Sequence, residues 1–218
     1  MKPFLIAATA LCAVAGVAQA GSAKPKHAEF ILSPNPVVLP CLAADGQNVQ
    51  ASVHVKRGEL NDRLVLDVSG LKPNLAFDLF TVQRTSLGAD GKPDPAFQGS
   101  FGLAWYQSDL QADAYGNARV VVQTILLDQI FGFDADKNAD GTAKIPPTNT
   151  FHLGFWFNNP QDAVDCKFDP TKPTPFNGEH QAGPLAMISL PAESGLGPLC
   201  TSPTGADPSD TSALQCNP

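Results

Sequence analysis

The chain has 218 residues, with 14 basic against 21 acidic side chains and a formal net charge of −7. An acidic balance without a Lys/Arg run excludes partners whose recognition rests on neutralising phosphates, so neither nucleic acid nor an anionic membrane surface is an expected ligand. The length suits one large all-β domain, and no Ser/Gly linker divides it.

Read from the N-terminus, Met1 to Ala20 has the form of a secretory signal peptide. Lys2 supplies the basic start, Phe4 to Val17 the apolar run, and Ala18-Gln19-Ala20 the small-residue exit. Cys12 would leave with it, and Leu11 in front of Cys12 does not fit a lipid-anchoring site. The mature chain would start at Gly21 with 13 basic and 21 acidic residues, a net charge of −8. It would reside in an oxidising compartment, periplasmic or extracellular. No later apolar run approaches the ~20 residues that span a bilayer, so no membrane span is expected after signal removal.

From there to Pro191, short apolar runs alternate with Pro, Gly, Asn and Asp, the pattern of many short strands. The expected strands are Ala28 to Leu32, Val37 to Leu39, Gln50 to Lys56, Arg63 to Ser69, Ala76 to Gln83, Phe101 to Ser108, Ala118 to Thr124, Thr150 to Asn158 and Leu185 to Leu190. Alternation assigns faces. Val53 and Val55 flank an outward His54, Leu64, Leu66 and Val68 share one side, and Phe151, Leu153, Phe155 and Phe157 form a stripe. Thr124 to Phe133 suits a helical turn. Asp90-Gly91, Tyr115-Gly116-Asn117 and Asn177-Gly178 offer turn residues that tolerate positive φ. The expected fold is an all-β, antiparallel two-sheet sandwich spanning 21–191, followed by a loop-rich tail over 192–218.

After Gly70, the run Leu71-Lys72-Pro73-Asn74-Leu75-Ala76-Phe77 resembles the inter-sheet corner of fibronectin type III and related immunoglobulin-like modules, in which Leu-x-Pro precedes an aromatic strand residue. Phe77 stands where that family carries a tyrosine. The resemblance implies an immunoglobulin-like sandwich and carries no activity.

Asp136-Lys137-Asn138-Ala139-Asp140-Gly141, with Asp134 upstream, resembles the first half of EF-hand and dockerin calcium loops, where oxygen side chains at alternate positions wrap a hard cation. Pro147 occupies the position of the bidentate glutamate. Two readings stay open, a structural calcium ion on Asp134, Asp136, Asn138 and Asp140, and a solvated turn.

The connection Asn158 to Gly183 is long for a compact domain and carries Asp162, Asp165, Asp169, Glu179 and His180. Glu179 and His180 are the candidate acid-base or binding groups there, although neighbours on an extended chain point apart. Tyr106 and Trp156, both outward by alternation, are candidates for a sugar-stacking platform. His27, His54, His152 and His180 lack ligand spacing, and there is no Gly-x-Ser-x-Gly elbow or phosphate-binding glycine loop.

Cys41, Cys166, Cys200 and Cys216 allow three disulfide connectivities. Cys41 with Cys166 and Cys200 with Cys216 is favoured, because the second pair closes a short, core-poor loop in the tail. The sequence as a whole points to a secreted, disulfide-stabilised, non-catalytic module binding a protein or glycan partner. The rival is an exported hydrolase or metal-dependent enzyme with its site on the 158–183 loop.

Overall fold

The computed structural model describes residues 27–58, 61–97, 99, 101–102, 104–124, 152–171, 183–192 and 196–200, with backbone alone at 203–204 and 215–216. Eight strands, β1 (His27–Pro34), β2 (Gln50–Lys56), β3 (Asp62–Ser69), β4 (Ala76–Val82), β5 (Ala104–Gln111), β6 (Ala118–Thr124), β7 (His152–Phe157) and β8 (Leu185–Ser189), form one antiparallel sheet. Its order is β5-β4-β7-β8-β1-β2-β3-β6. Laid flat, its outer strands β5 and β6 would be separated by about 34 Å, at roughly 4.8 Å per strand spacing. One tight turn joins them instead, closed by Asp113 N donating to Asn117 O at 2.7 Å. The sheet therefore curls into a nearly closed, barrel-like form.

The all-β antiparallel expectation holds. A division into two separate sheets is not drawn by the hydrogen bonding, because β1 serves both halves. Its residues His27 to Leu32 pair with β2, while Leu32 to Pro34 pair with β8. Asn35 extends that second contact, its backbone N–H reaching Ala186 O at 2.9 Å and its side-chain amide Leu185 O at 3.1 Å.

Inside the curl, Val53, Val55, Leu64 and Leu66 of one half meet Phe77, Leu79, Phe155 and Phe157 of the other. Phe77 packs its ring against Phe155 and Phe157 at 5.0 and 5.1 Å. Leu71 to Leu75 carry the chain across from β3 to β4, with Leu71 fully buried and Lys72 N bonded to Leu42 O at 2.9 Å.

The expected strand at Val37 to Leu39 is corrected to a helical turn, α1 (Leu39–Leu42), with Val38 at its N-cap. A proline at the start of the turn suits a helix and withholds the N–H that a ladder needs. Cys41 and Leu42 then point into the core. The expected helical turn at 124–133 lies outside the described residues except for Thr124, which ends β6.

A short 3₁₀ helix, Pro160–Cys166, opens the long connection after β7, and the Asn159 side chain caps it by accepting from Gln161 N at 3.0 Å. The Cys41–Cys166 disulfide ties this helix to α1 across 125 residues of chain. Cys200 is also disulfide-bonded, and of Cys216 only the backbone is described, paired with Pro203 in a two-stranded ribbon of β9 (Pro203–Thr204) and β10 (Gln215–Cys216). The start of the tail contributes more to the core than its composition suggests. Leu196 and Leu199 are buried, and Arg57 bridges Asp62 and the Leu199 carbonyl, the latter at 2.7 Å. Among the described residues no helix is long and apolar enough to cross a membrane.

Candidate functional site: a groove on the open face

The two halves of the sheet treat their outer faces differently. Outside β4, β7 and β8, a second apolar cluster forms from Phe80, Val82, Trp156, Leu185 and Ile188, roofed by Leu87, Phe97 and Phe101 of the β4–β5 connection. Trp156 is only 1% exposed, with Phe80 and Phe101 edge-on to it at 5.6 and 5.1 Å. The sugar platform expected of Trp156 is thereby corrected. Alternation placed the indole outward as it should, but a distant loop supplies a roof that no local pattern announces. Tyr106 does remain half-exposed, against the edge of Phe80 at 5.7 Å, and its hydroxyl donates to Asp109 Oδ1 at 2.7 Å. Burial, followed by the Asp109 and Asp78 carboxylates, holds this phenol above its ordinary range.

The sealed side also encloses His152. Its Nδ1 lies 3.1 Å from Ser189 Oγ and 3.3 Å from Ser189 O, and Ser189 Oγ accepts from Leu153 N at 3.2 Å. Desolvation pulls the imidazole down to about 4, outweighing the opposing hydrogen bond to Ser189. With both side chains at 0–1% exposure, this pair has no substrate access and works as a packed polar strut.

The opposite half presents an open face. Strand register aligns Ile31, Ser52, Asp67 and Arg119 in one row across β1, β2, β3 and β6, and the neighbouring row reads Glu29, His54, Val65 and Val121. Along the first row and the ends of these strands runs a groove of about 750 Å³, bordered by Gln50, Asp113 and Asn117 and walled in larger part by apolar groups, among them Leu32, Val49, Ala51 and Val68. Arg119 forms an ion pair with Asp67, and Ile31 stands 66% exposed at the row's other end. His54, outward as its alternation with valines predicts, reaches Glu29 at 3.3 Å.

One end of the groove is the β5–β6 turn. Asp113 Oδ1 accepts from the backbone N–H groups of Tyr115 and Asn117 at 2.8 and 2.9 Å. Gly116 adopts φ +79° with its α-carbon so close to Leu71 that a Cβ would fall 2.1 Å from the Leu71 carbonyl oxygen. The turn is therefore fixed, and it holds Tyr115 88% exposed between two groove residues.

Of the other sequence-expected residues, Asp134, Asp136, Asn138, Asp140, Glu179 and His180 lie outside the described residues. Asp162 is described on the 3₁₀ helix, where partial desolvation raises its carboxyl above the usual range. Among the described residues there is no group of three or more His, Cys, Asp or Glu side chains that could hold a metal. The groove residues escaped sequence reading because strand pairing, not spacing along the chain, brings them together. The available signal was weak: a small or charged outward position in β2, β3 and β6 flanked on both sides by alanine, valine or leucine.

No family model matches the chain, and no curated protein is similar to it. The fold and site thus define a class by geometry alone: an antiparallel all-β domain sealed on one outer face and grooved on the other.

Proposed function

We propose that this chain is an exported, disulfide-stapled module that binds a protein or glycan partner at the cell surface, envelope or matrix without catalysing a reaction on it. The observation that carries the reading is the groove across β1, β2, β3 and β6. Its volume of about 750 Å³ falls within the ~300–1,000 Å³ usual for ligand sites. Its lining combines hydroxyl, amide, carboxylate and guanidinium groups with apolar walls from Leu32, Val49, Ala51 and Val68, which together suit a ligand that is apolar on its faces and hydrogen-bonded at its rim. Support for export comes from the Met1 to Ala20 pattern together with the disulfides at Cys41–Cys166 and Cys200, since such bonds persist in oxidising compartments. The immunoglobulin-like arrangement belongs to the same proposal. Its supports are the Gly70 to Phe77 corner, which crosses between β3 and β4, and the two halves that face each other across one core.

The test is retention of the purified mature protein on insoluble plant and microbial polysaccharides and on immobilised matrix proteins. Ser52→Trp, which fills the groove from an outward position, and Asp67→Lys, which reverses a wall charge, are compared with the wild type after melting curves establish that both fold. Retention lost in both variants supports the groove. Undiminished retention in both places the partner elsewhere and defeats the reading. A structural calcium ion at Asp134, Asp136, Asn138 and Asp140 is the further element of this proposal. A ligand at 100 times its Kd adds about 2.7 kcal/mol, so chelator should lower Tm by several degrees. An unchanged Tm removes calcium.

A further inference from the structure

We infer that the groove takes an uncharged oligosaccharide, and that Tyr115 is its stacking residue. This rests on the reading of the groove as a ligand site and adds the chemical class of the ligand.

Three observations converge. The first is the chemistry of the row Ile31, Ser52, Asp67, Arg119, which runs from an exposed apolar side chain through a hydroxyl to a carboxylate and a guanidinium. A sugar ring presents the matching pair of properties, apolar C–H faces and a rim of hydroxyls that both donate and accept. Asp67 supplies acceptors only and Arg119 donors only, so together they address both halves of a hydroxyl. The second is charge. Arg119 is already paired with Asp67, and Asp113 at the end of the groove adds a further carboxylate, so no unpaired cation on this row awaits an anionic ligand. The third is Tyr115. Its ring is 88% exposed and contributes almost nothing to folding, yet its turn is anchored by both Asp113 hydrogen bonds and by the close approach of Gly116 to Leu71. An exposed aromatic on a fixed backbone turn, between the groove residues Asp113 and Asn117, has no backbone ordering left to lose when a ring stacks on it.

Extent sets the size of the ligand. The row crosses four strands, hence about 14 Å at roughly 4.8 Å per spacing, which accommodates a short chain of sugars rather than a single ring. A protein partner is disfavoured because a stable protein interface calls for about 800 Å² per partner around an apolar centre, and the centre of this row is Ser52 and Asp67.

The experiment is titration calorimetry of the mature full chain with neutral gluco-, manno- and xylo-tetrasaccharides, with polygalacturonate as the anionic control, at low and high salt. The expected result is binding of at least one neutral series with an affinity insensitive to salt. Tyr115→Ala should weaken it by about tenfold, in line with a stacking contribution of about 1.4 kcal/mol, while Tyr115→Phe should stay close to the wild type. Neither change touches a buried contact, so both variants should melt with the wild type. Absence of binding to every neutral series, salt-sensitive binding of polygalacturonate alone, or a Tyr115→Ala variant as tight as the wild type would each overturn the inference. If Ser52→Trp still abolishes retention on a matrix protein while no tetrasaccharide binds, the glycan assignment falls and the groove reading stands. Retention unaffected by both Ser52→Trp and Asp67→Lys sinks both.

Discussion

β2 and β7 belong to the same curled sheet and obey opposite rules. β2, Gln50–Lys56, alternates between exposed and buried positions, whereas all six residues of β7, His152–Phe157, are buried. A strand with one solvated face keeps a clean two-residue period, and a strand covered on both sides reads as a continuous apolar run. The difference separates two kinds of outer surface. β4, β7 and β8 bury both their faces, while β1, β2, β3 and β6 need only their inner face for the core and leave the outer one exposed.

The largest effect should come from severing the link between the halves. Cys41 follows β1 and Cys166 follows β7, and the bond between them closes 125 residues. In the chain-entropy account its removal by paired Cys→Ala changes costs about 5 kcal/mol, measurable by urea denaturation. A loss below about 1 kcal/mol would mean that the halves hold together without it.

Next is the sealed face itself. Trp156→Ala should cost about 4 kcal/mol, because Phe80 and Phe101 cannot both close the void. Binding at the groove, measured on the fraction that remains folded, should be unchanged. Loss of binding in proportion to that of a groove variant would erase the division of labour between faces.

His152 sharpens the contrast through pH. Its folded-state value of about 4 lies below the ordinary 6.5, so the unfolded chain binds more protons between those limits. Its stabilising contribution is therefore complete above pH 6.5 and is lost as pH falls towards 4, up to about 3 kcal/mol. Denaturation curves of wild type and His152→Gln across that window should converge as the pH drops, and parallel curves would count against it.

The smallest effect belongs to the open face. The Asp67–Arg119 pair is well exposed, and such pairs contribute 0–1 kcal/mol, so Asp67→Asn should shift stability by less than about 1 kcal/mol while weakening ligand binding. A larger stability loss would recast the pair as structural.

Much of the strand inventory was legible, and for local reasons. Val53, Val55, Leu64, Leu66 and Val68 fall on one side because successive side chains on a strand point to opposite faces. The turn at Asp113 to Asn117 was readable from Tyr115-Gly116-Asn117, since glycine alone tolerates the close, left-handed approach to Leu71. Illegible was anything fixed by partners far along the chain. Val37 to Leu39 looked extended by composition and became the lead-in to a helical turn whose Cys41 and Leu42 are held by the core. Trp156 read as outward and is outward, but Phe101 lies over it. The candidate site was legible least of all, for Ile31, Ser52, Asp67 and Arg119 are separated by strand lengths and turns that spacing does not encode.

By itself, then, the amino-acid order determined the antiparallel strands, their inward faces and the cysteines available for pairing, because side-chain alternation and turn chemistry act over a few residues. The tertiary structure alone decided which outer face is roofed and which lies open. That choice depends on where the β4–β5 connection folds back and on the register of strands that meet only after the sheet has curled.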